Sequence, residues 1–404
     1  MHVKTQPCPT AYETETASDP FCKTELPQSH VAQAEIHLDS HSPYPLRFPW
    51  PSSGPLVRCT RKRKDQGLGA DIDFESQCRA LVAELGLGRP EDIVSIQALA
   101  GGVSSDIAEV TLPDRKICIK GALPQLKVAA KWLAPVHRNA TEYRWLSTVA
   151  TILPEAVPKL YGQSTALGAF AMEYLDPSQY KNWKASLLAG EVEPETARAV
   201  AQSLAKIHAL SATKTFPAAD FQDKAGFHAL RLEPYLEFTA LKHPSIRDML
   251  YQIAQEFHAA QITLVHGDVS PKNILVSAKG PVFLDAECAV MGDPAFDIAF
   301  CINHFLLKAV HRPAQASALV GLVGHFWEAY QGGLNWESAP SLEGRVARLL
   351  PALLLARVDG KSPAEYLNPE QQQLVRVLAI RFIKQSPQHL EPILTALQET
   401  LRIT

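Results

Sequence analysis

The residues with the most chemical content lie between positions 264 and 299. The segment runs Leu264-Val265-His266-Gly267-Asp268, reaches Asn273 five residues after the aspartate, and continues through Phe283-Leu284-Asp285-Ala286-Glu287 to Gly292-Asp293-Pro294 and Asp297. Asp268 sits on a loop that Gly267 lets bend. Residues 273–276 and 282–285 read as two short strands joined by a Ser277-Ala278-Lys279-Gly280 turn. Such a hairpin brings the amide of Asn273 and the carboxylate of Asp285 together. An amide oxygen and a carboxylate make a hard-oxygen site, which suits Mg²⁺ with phosphate oxygens in the remaining positions. Asp268 is then free to orient or deprotonate a hydroxyl nucleophile. A metal-dependent hydrolase with His266 and Asp268 as ligands is a competing reading. It is the poorer one, because no closely spaced histidine pair accompanies the motif. The expected part of His266 is structural, fixing the loop by hydrogen bonds.

The order His266-Gly267-Asp268-x-x-x-x-Asn273 followed by Asp285 resembles the catalytic and metal segment of the aminoglycoside phosphotransferase and choline kinase superfamily, which shares the protein-kinase fold. Gly267 replaces the arginine of protein kinases, and Asp-Ala-Glu replaces their Asp-Phe-Gly. Both departures fit a small-molecule kinase and argue against a protein kinase. The resemblance spans roughly residues 95–300 and more weakly the rest. It implies an α+β, two-lobed protein-kinase-like fold with a small antiparallel-sheet N-lobe and a mainly helical C-lobe. It implies Asp268 as catalytic base, Asn273 and Asp285 as Mg²⁺ ligands, and ATP (or GTP) as co-substrate. Gly101, Gly102, Ser104 and Ser105 fall where such enzymes keep a nucleotide loop. Lys120 matches the lysine on the α- and β-phosphates, and Glu142 its ion-pair partner. Met172, Glu173 and Leu175 fall at the hinge that receives adenine. Asp297 is expected to brace the catalytic loop, and Asp293 to form a turn. A module of this fold that binds nucleotide but transfers weakly is the alternative, and the intact Lys120, Asp268, Asn273 and Asp285 set argues against it.

Elements able to position these groups can be read from periodicity. Residues 74–86 form an amphipathic helix ended by Gly86. Asp106–Leu112 and Lys116–Lys120 are strands around a Pro113-Asp114-Arg115 turn, with Ile117 and Ile119 facing one way and Cys118 and Lys120 the other. Residues 137–150 are helical and 168–175 a strand. Beyond Pro177 the pattern turns helical: a helix opened by Pro194, with His208 on its packed face, then runs near 244–260, 295–310, 315–331, 342–357 and 369–400. The expected division is an N-lobe over 71–176 and a C-lobe over 177–404. Residues 1–70 hold nine of the thirty prolines and lack either periodicity, so they are expected to be disordered. Their basic run, Arg61-Lys62-Arg63-Lys64, is read as a solvated linker or a start site placed too far upstream, in preference to an address signal or an anionic-surface contact.

Composition narrows the field. The chain has 404 residues, is 46% hydrophobic and 20% charged, and carries a net charge of -3, which suits a globular protein and not a globally basic nucleic-acid binder. No run approaches a membrane span. The seven cysteines contain no C-x-x-C pair and are read as reduced thiols in a cytoplasmic protein. No signal peptide is evident. The expected partner is a small hydroxylated acceptor, with no nucleic acid and no membrane; the oligomeric state is left open. Residues 301–404 hold ten Lys plus Arg against eight Asp plus Glu, a difference of +2. That favours a neutral or anionic acceptor over a polycationic aminoglycoside. Arg357 and Lys361, near a helix end, are the candidate acceptor contacts, suited to a carboxylate or phosphate. Methylthioribose-kinase-like, homoserine-kinase-like and hydroxyacyl-CoA kinases share the superfamily, and the residues do not choose among them.

Overall fold

A computed structural model describes residues 73–99, 105–123 and 137–403. The N-terminal extension with its basic run, and Gly101, Gly102 and Ser104, lie outside the described residues.

The first lobe is built on one antiparallel sheet. Its strands are β1 (Ser95–Ala98), β2 (Ser105–Thr111), β3 (Lys116–Ala122), β4 (Leu160–Ser164) and β5 (Ala169–Glu173), in the spatial order β1-β2-β3-β5-β4. β2 and β3 pair around the expected Pro113-Asp114-Arg115 turn, with Ile107 opposite Lys120 and Val110 opposite Ile117. Alternation then sorts the side chains. Ile117 and Ile119 bury with Ala108 and Val110 beneath helix α1 (Phe74–Glu84), which contributes Cys78, Leu81 and Val82. The Asp73 carboxylate caps α1 by accepting from the Ser76 N–H at 3.0 Å, and Gly86, at φ 63°, allows the chain to turn after it. Cys118 points to the opposite face. There it joins Phe170 and Met172 in a core shared with helix α2 (Arg138–Ile152).

The second lobe is mainly helical: α3 (Trp183–Ala189), α4 (Pro194–Ser211), the short α5 (Lys224–Phe227) and α6 (Phe238–Lys242), then α7 (Arg247–Ala259), α8 (Ala295–His311), α9 (Ala316–Gln331), α10 (Ala339–Asp359), α11 (Pro369–Gln385) and α12 (Glu391–Ile403). α8 is buried from Ala295 to Val310 and forms the lobe's axis, with α9 and α10 against it. Two small sheets interrupt the helices. β6 (Lys181–Asn182), β8 (Ile274–Ser277) and β9 (Gly280–Phe283) form one; β7 (Thr263–Val265) and β10 (Val290–Gly292) form the other. The segment between β7 and β10 therefore closes on itself, and it holds Asp268, Asn273 and Asp285. Among the described residues, no helix is long and apolar enough to cross a membrane.

Two features depart from the sequence reading, and a third lies where it assigned no element. The single helical run expected over 369–400 is two helices, broken at Ser386 (φ 48°) ahead of Pro387, which cannot continue a helix. β9 ends at Phe283, so Asp285 stands beyond the strand, and Asn273 ends a 3₁₀ turn ahead of β8 instead of opening the strand. Residues 228–237 wind as a wide π-type helix around Pro234, whose ring removes a backbone donor.

Trp145 joins the lobes. It is fully buried on α2, one turn beyond Glu142, with its ring 4.8 Å from that of His266 and 6.2 Å from that of Phe283. Trp145→Ala is expected to cost about 3–5 kcal/mol, read as a lower urea midpoint at unchanged slope.

Candidate active site

The centre of the site is a buried ion triplet. Lys120 Nζ lies 2.6 Å from Glu142 Oε2 and 2.5 Å from Asp285 Oδ1, and the Asp285 N–H donates to Glu142 Oε1 at 3.0 Å. β3 supplies the lysine, α2 the glutamate and the turn after β9 the aspartate. Asp285 adopts φ 68°, a left-handed conformation that aspartate tolerates better than most residues. Burial works against the ammonium, but Asp285 and Glu142 outweigh it and hold Lys120 above its ordinary range. Burial would also raise the Asp285 carboxyl; Lys120 and Lys272 overcome it and hold the group low. Glu142 goes the other way, pushed up to about 7 by burial despite Lys120. A second buried pair stands behind the triplet, with Arg138 Nε donating to Glu287 Oε2 at 2.9 Å.

The loop of Asp268 hangs from a carboxylate. Asp297, wholly buried on α8, accepts the N–H of His266 at 2.7 Å and of Gly267 at 2.8 Å, while His208 Nε2 lies 3.3 Å from it. The other nitrogen of His208 meets the Tyr330 hydroxyl at 2.7 Å. His266 accepts the Asp268 N–H on Nδ1 at 3.1 Å and reaches the Leu284 carbonyl with Nε2, also at 3.1 Å. The first bond leaves Nδ1 without a proton, and burial favours the neutral ring. Gly267 has φ 78°, and a Cβ there would stand 2.9 Å from the Cys288 carbonyl, so no other residue fits. Asp293 accepts the Ala295 N–H in the turn that leads into α8, at 2.9 Å, and pairs with Arg345 at 2.7 Å.

Asp268 is itself buried. Its Oδ2 lies 2.8 Å from Arg231 Nη2 and 3.2 Å from Lys272 Nζ. Arg231 Nε also donates to the Gly267 carbonyl at 2.5 Å, so one guanidinium holds both the loop and its acid. Asn273 Nδ2 donates to the Asp268 carbonyl at 3.1 Å, and the Leu284 N–H reaches the Asn273 carbonyl at 2.9 Å.

A cleft of about 600 Å³ lies between the lobes. Of the residues singled out from sequence, Ser105, Lys120, Glu142, Met172, Glu173, Leu175, Asn273 and Asp285 line it. Asp268 stands beside it, next to the lining residue Lys272. Leu99, Ile107, Cys118, Met172, Leu275 and Leu284 make one apolar slot of its wall. The Cys118 thiol there is pushed up to about 12 by burial. Another hollow, of about 520 Å³ around Pro154, Lys159 and Lys279, holds none of the ionic groups of the triplet or the loop. Lys361 is not brought to the cleft; its ammonium pairs with Glu233 at 2.7 Å. Arg357 is buried at the end of α10, where its Nη1 meets the Ser362 hydroxyl at 2.7 Å.

Arg231 and Arg138 are absent from the sequence reading, and Glu287 stands in its motif without a role. Lys272 carried a usable signal, four residues after Asp268. Arg231 carried none, because it is 37 residues upstream in a segment whose π-type winding has no periodicity to read.

This two-lobed arrangement is the protein-kinase-like fold. It also describes a solved amicoumacin kinase in complex with AMP-PNP and Ca²⁺, with a TM-score of 0.50 at 12% identity, covering 79% of this chain and 98% of that one. Residues 95–332 match the phosphotransferase enzyme family, and the chain belongs to that family. Curated relatives include methylthioribose kinases of Geobacillus thermodenitrificans, 25% identical over 274 residues, and of Bacillus cereus, 28% identical over 227. These matches cover 59% and 49% of this chain, and 67% and 57% of the relatives' own lengths.

Removing the guanidinium from Arg231 leaves a buried carboxylate with only Lys272 opposite. Arg231→Met is expected to destabilise the protein by about 3 kcal/mol, seen as a drop in melting temperature.

Proposed function

We propose that the chain transfers the γ-phosphoryl group of ATP, or of GTP, to a hydroxyl of a small neutral or anionic acceptor. The observation that carries this reading is the Lys120–Glu142–Asp285 triplet lining the same cleft as Asn273, one loop from Asp268. The family match and the methylthioribose kinase relatives support it.

Roles follow from chemistry. The apolar slot suits a purine ring, with the Met172–Leu175 strand end at its rim. Lys120 neutralises the α- and β-phosphates, and Ser105, at the start of β2, lines the same cleft. The residues present fit a magnesium ion. Asn273 commits Nδ2 to the Asp268 carbonyl, which leaves its Oδ1 without a protein partner among the described residues. Asp285 adds a carboxylate on the same cleft wall, and Mg²⁺ needs only one or two protein ligands when phosphates supply the rest. Bound there, the ion would neutralise charge on the phosphate oxygens. Arg231 and Lys272 both take Oδ2 of Asp268, which leaves Oδ1 for the acceptor. Asp268 accepts the proton of the acceptor hydroxyl as that oxygen attacks the γ-phosphorus. The bond to the β–γ bridging oxygen breaks, and the nucleoside diphosphate leaves. Positioning and charge neutralisation supply most of the rate in such transfers. Nothing in the site favours a module that binds nucleotide without transferring phosphate.

Two substitutions separate binding from chemistry. Asp268→Asn is expected to lower kcat by roughly 10²–10⁴-fold while the melting shift given by Mg²⁺ and ATP persists. At a hundred times Kd that shift reflects about 2.7 kcal/mol, roughly 5–11 °C for a unit of 150–250 residues. Asp285→Asn is expected to shrink the shift itself. Near-normal turnover in Asp268→Asn, followed by nucleotide consumption, would contradict the assigned base.

A further inference from the structure

Basic side chains gather along α8 and at the end of α10, and several of them have no acid within ion-pair distance. The chain of contact begins at Arg231, whose guanidinium lies 5.7 Å from the centre of the Phe300 ring. Phe300 meets His304 edge to face at 5.6 Å. One turn further along α8, Lys308 is 1% exposed; its amine reaches only the His304 carbonyl, at 3.5 Å, and the face of Tyr366, at 5.6 Å. Arg357 approaches from the end of α10. It is buried, touches only the Ser362 hydroxyl and carbonyl, and leaves Nε without a partner. Among the described residues, none of His304, Lys308 and Arg357 has a carboxylate within ion-pair distance.

These groups share one field. Burial drives the His304 imidazole well below its ordinary range, and Lys308, Arg357, Lys272 and Lys184 reinforce the effect. Lys308 is lowered to about 7 by burial, helped by Lys184 and Arg357. Lys184 and Lys272 also line the nucleotide cleft, so the basic cluster is continuous with it. Glu365 is the nearby acid; it is largely exposed and pairs with Lys184 at 2.5 Å. A buried arginine without a counter-charge costs stability, and the open donors of Arg357 suit a carboxylate or a phosphate.

We propose that the acceptor is an anion, and that its carboxylate or phosphate group docks on Lys184 and Arg357 in the field of Lys308, beside Asp268. The inference rests on the kinase reading, because it places this group on the acceptor side of the assigned base. Lys361, bound to Glu233, has no part in it.

Sulfate and acetate are the probes, titrated by thermal shift at constant ionic strength. The protein is first saturated with Mg²⁺ and AMP-PNP, so that Lys120 is occupied. Wild type is expected to bind at least one of the two, tighter sulfate binding pointing to a phosphate acceptor and tighter acetate binding to a carboxylate. Lys308→Met and Arg357→Met are expected to weaken the preferred probe at least threefold, with the shift given by Mg²⁺ and AMP-PNP alone unchanged. That shift also shows that each variant is folded. No binding in wild type, binding that AMP-PNP abolishes, or a loss under threefold in both variants would overturn the proposal. Failure of the kinase reading shows separately, as absence of the nucleotide shift in wild type.

Discussion

One ammonium group ties the molecule together. Lys120 comes from the sheet of the first lobe, Glu142 from the helix packed behind it, and Asp285 from a turn of the second lobe. At 2.6 and 2.5 Å the three are one buried ionic unit. Charges so placed are stable only while all partners remain, since an unpaired buried ion is far costlier than an exposed one. The register of β3, the rotation of α2 and the path of the chain after β9 must therefore all be correct at once. Trp145 adds an apolar clamp next to this unit, so the orientation of the two lobes is set by packing as well as by charge.

The loop that presents Asp268 is held by a different logic. It has little regular structure of its own and borrows its shape from Asp297, whose carboxylate takes two successive N–H groups. His266 then carries the order forward, bonded to the aspartate's own N–H and to the carbonyl just before Asp285. The two acids are thus linked through one neutral imidazole. Position 285 is doubly constrained: its chemistry asks for a carboxylate, and its φ of 68° asks for a residue that tolerates the left-handed region. Aspartate meets both demands, whereas glycine meets only the second.

Much of this is legible in the sequence. The alternation around Ile117 and Ile119 sets Lys120 on the opposite face of its strand, and the spacing from Asp268 to Asn273 to Asp285 sets those three on one loop system. Local patterns carry such information because strands and turns have short periods. What escaped was non-local or irregular. The ion pair of Arg138 with Glu287 joins residues far apart in sequence, and Arg231 lies in a π-type segment with no periodic signature. Lys308 and His304 were invisible for another reason: on a helix buried on all sides, a polar residue looks like an ordinary helix position until its neighbours are known. Lys361 stands apart because proximity in sequence to Arg357 does not show that one finds Glu233 while the other finds no acid.

The cysteine in the apolar slot has a practical consequence. Cys118 faces the space assigned to the purine, which would make it an obvious target for a covalent ligand. Burial keeps its thiol protonated, with the pKa near 12, and the thiol form is a poor nucleophile. Electrophiles that reach the slot should therefore meet a side chain that behaves as a small hydrophobe, and reversible shape complementarity will govern what binds there.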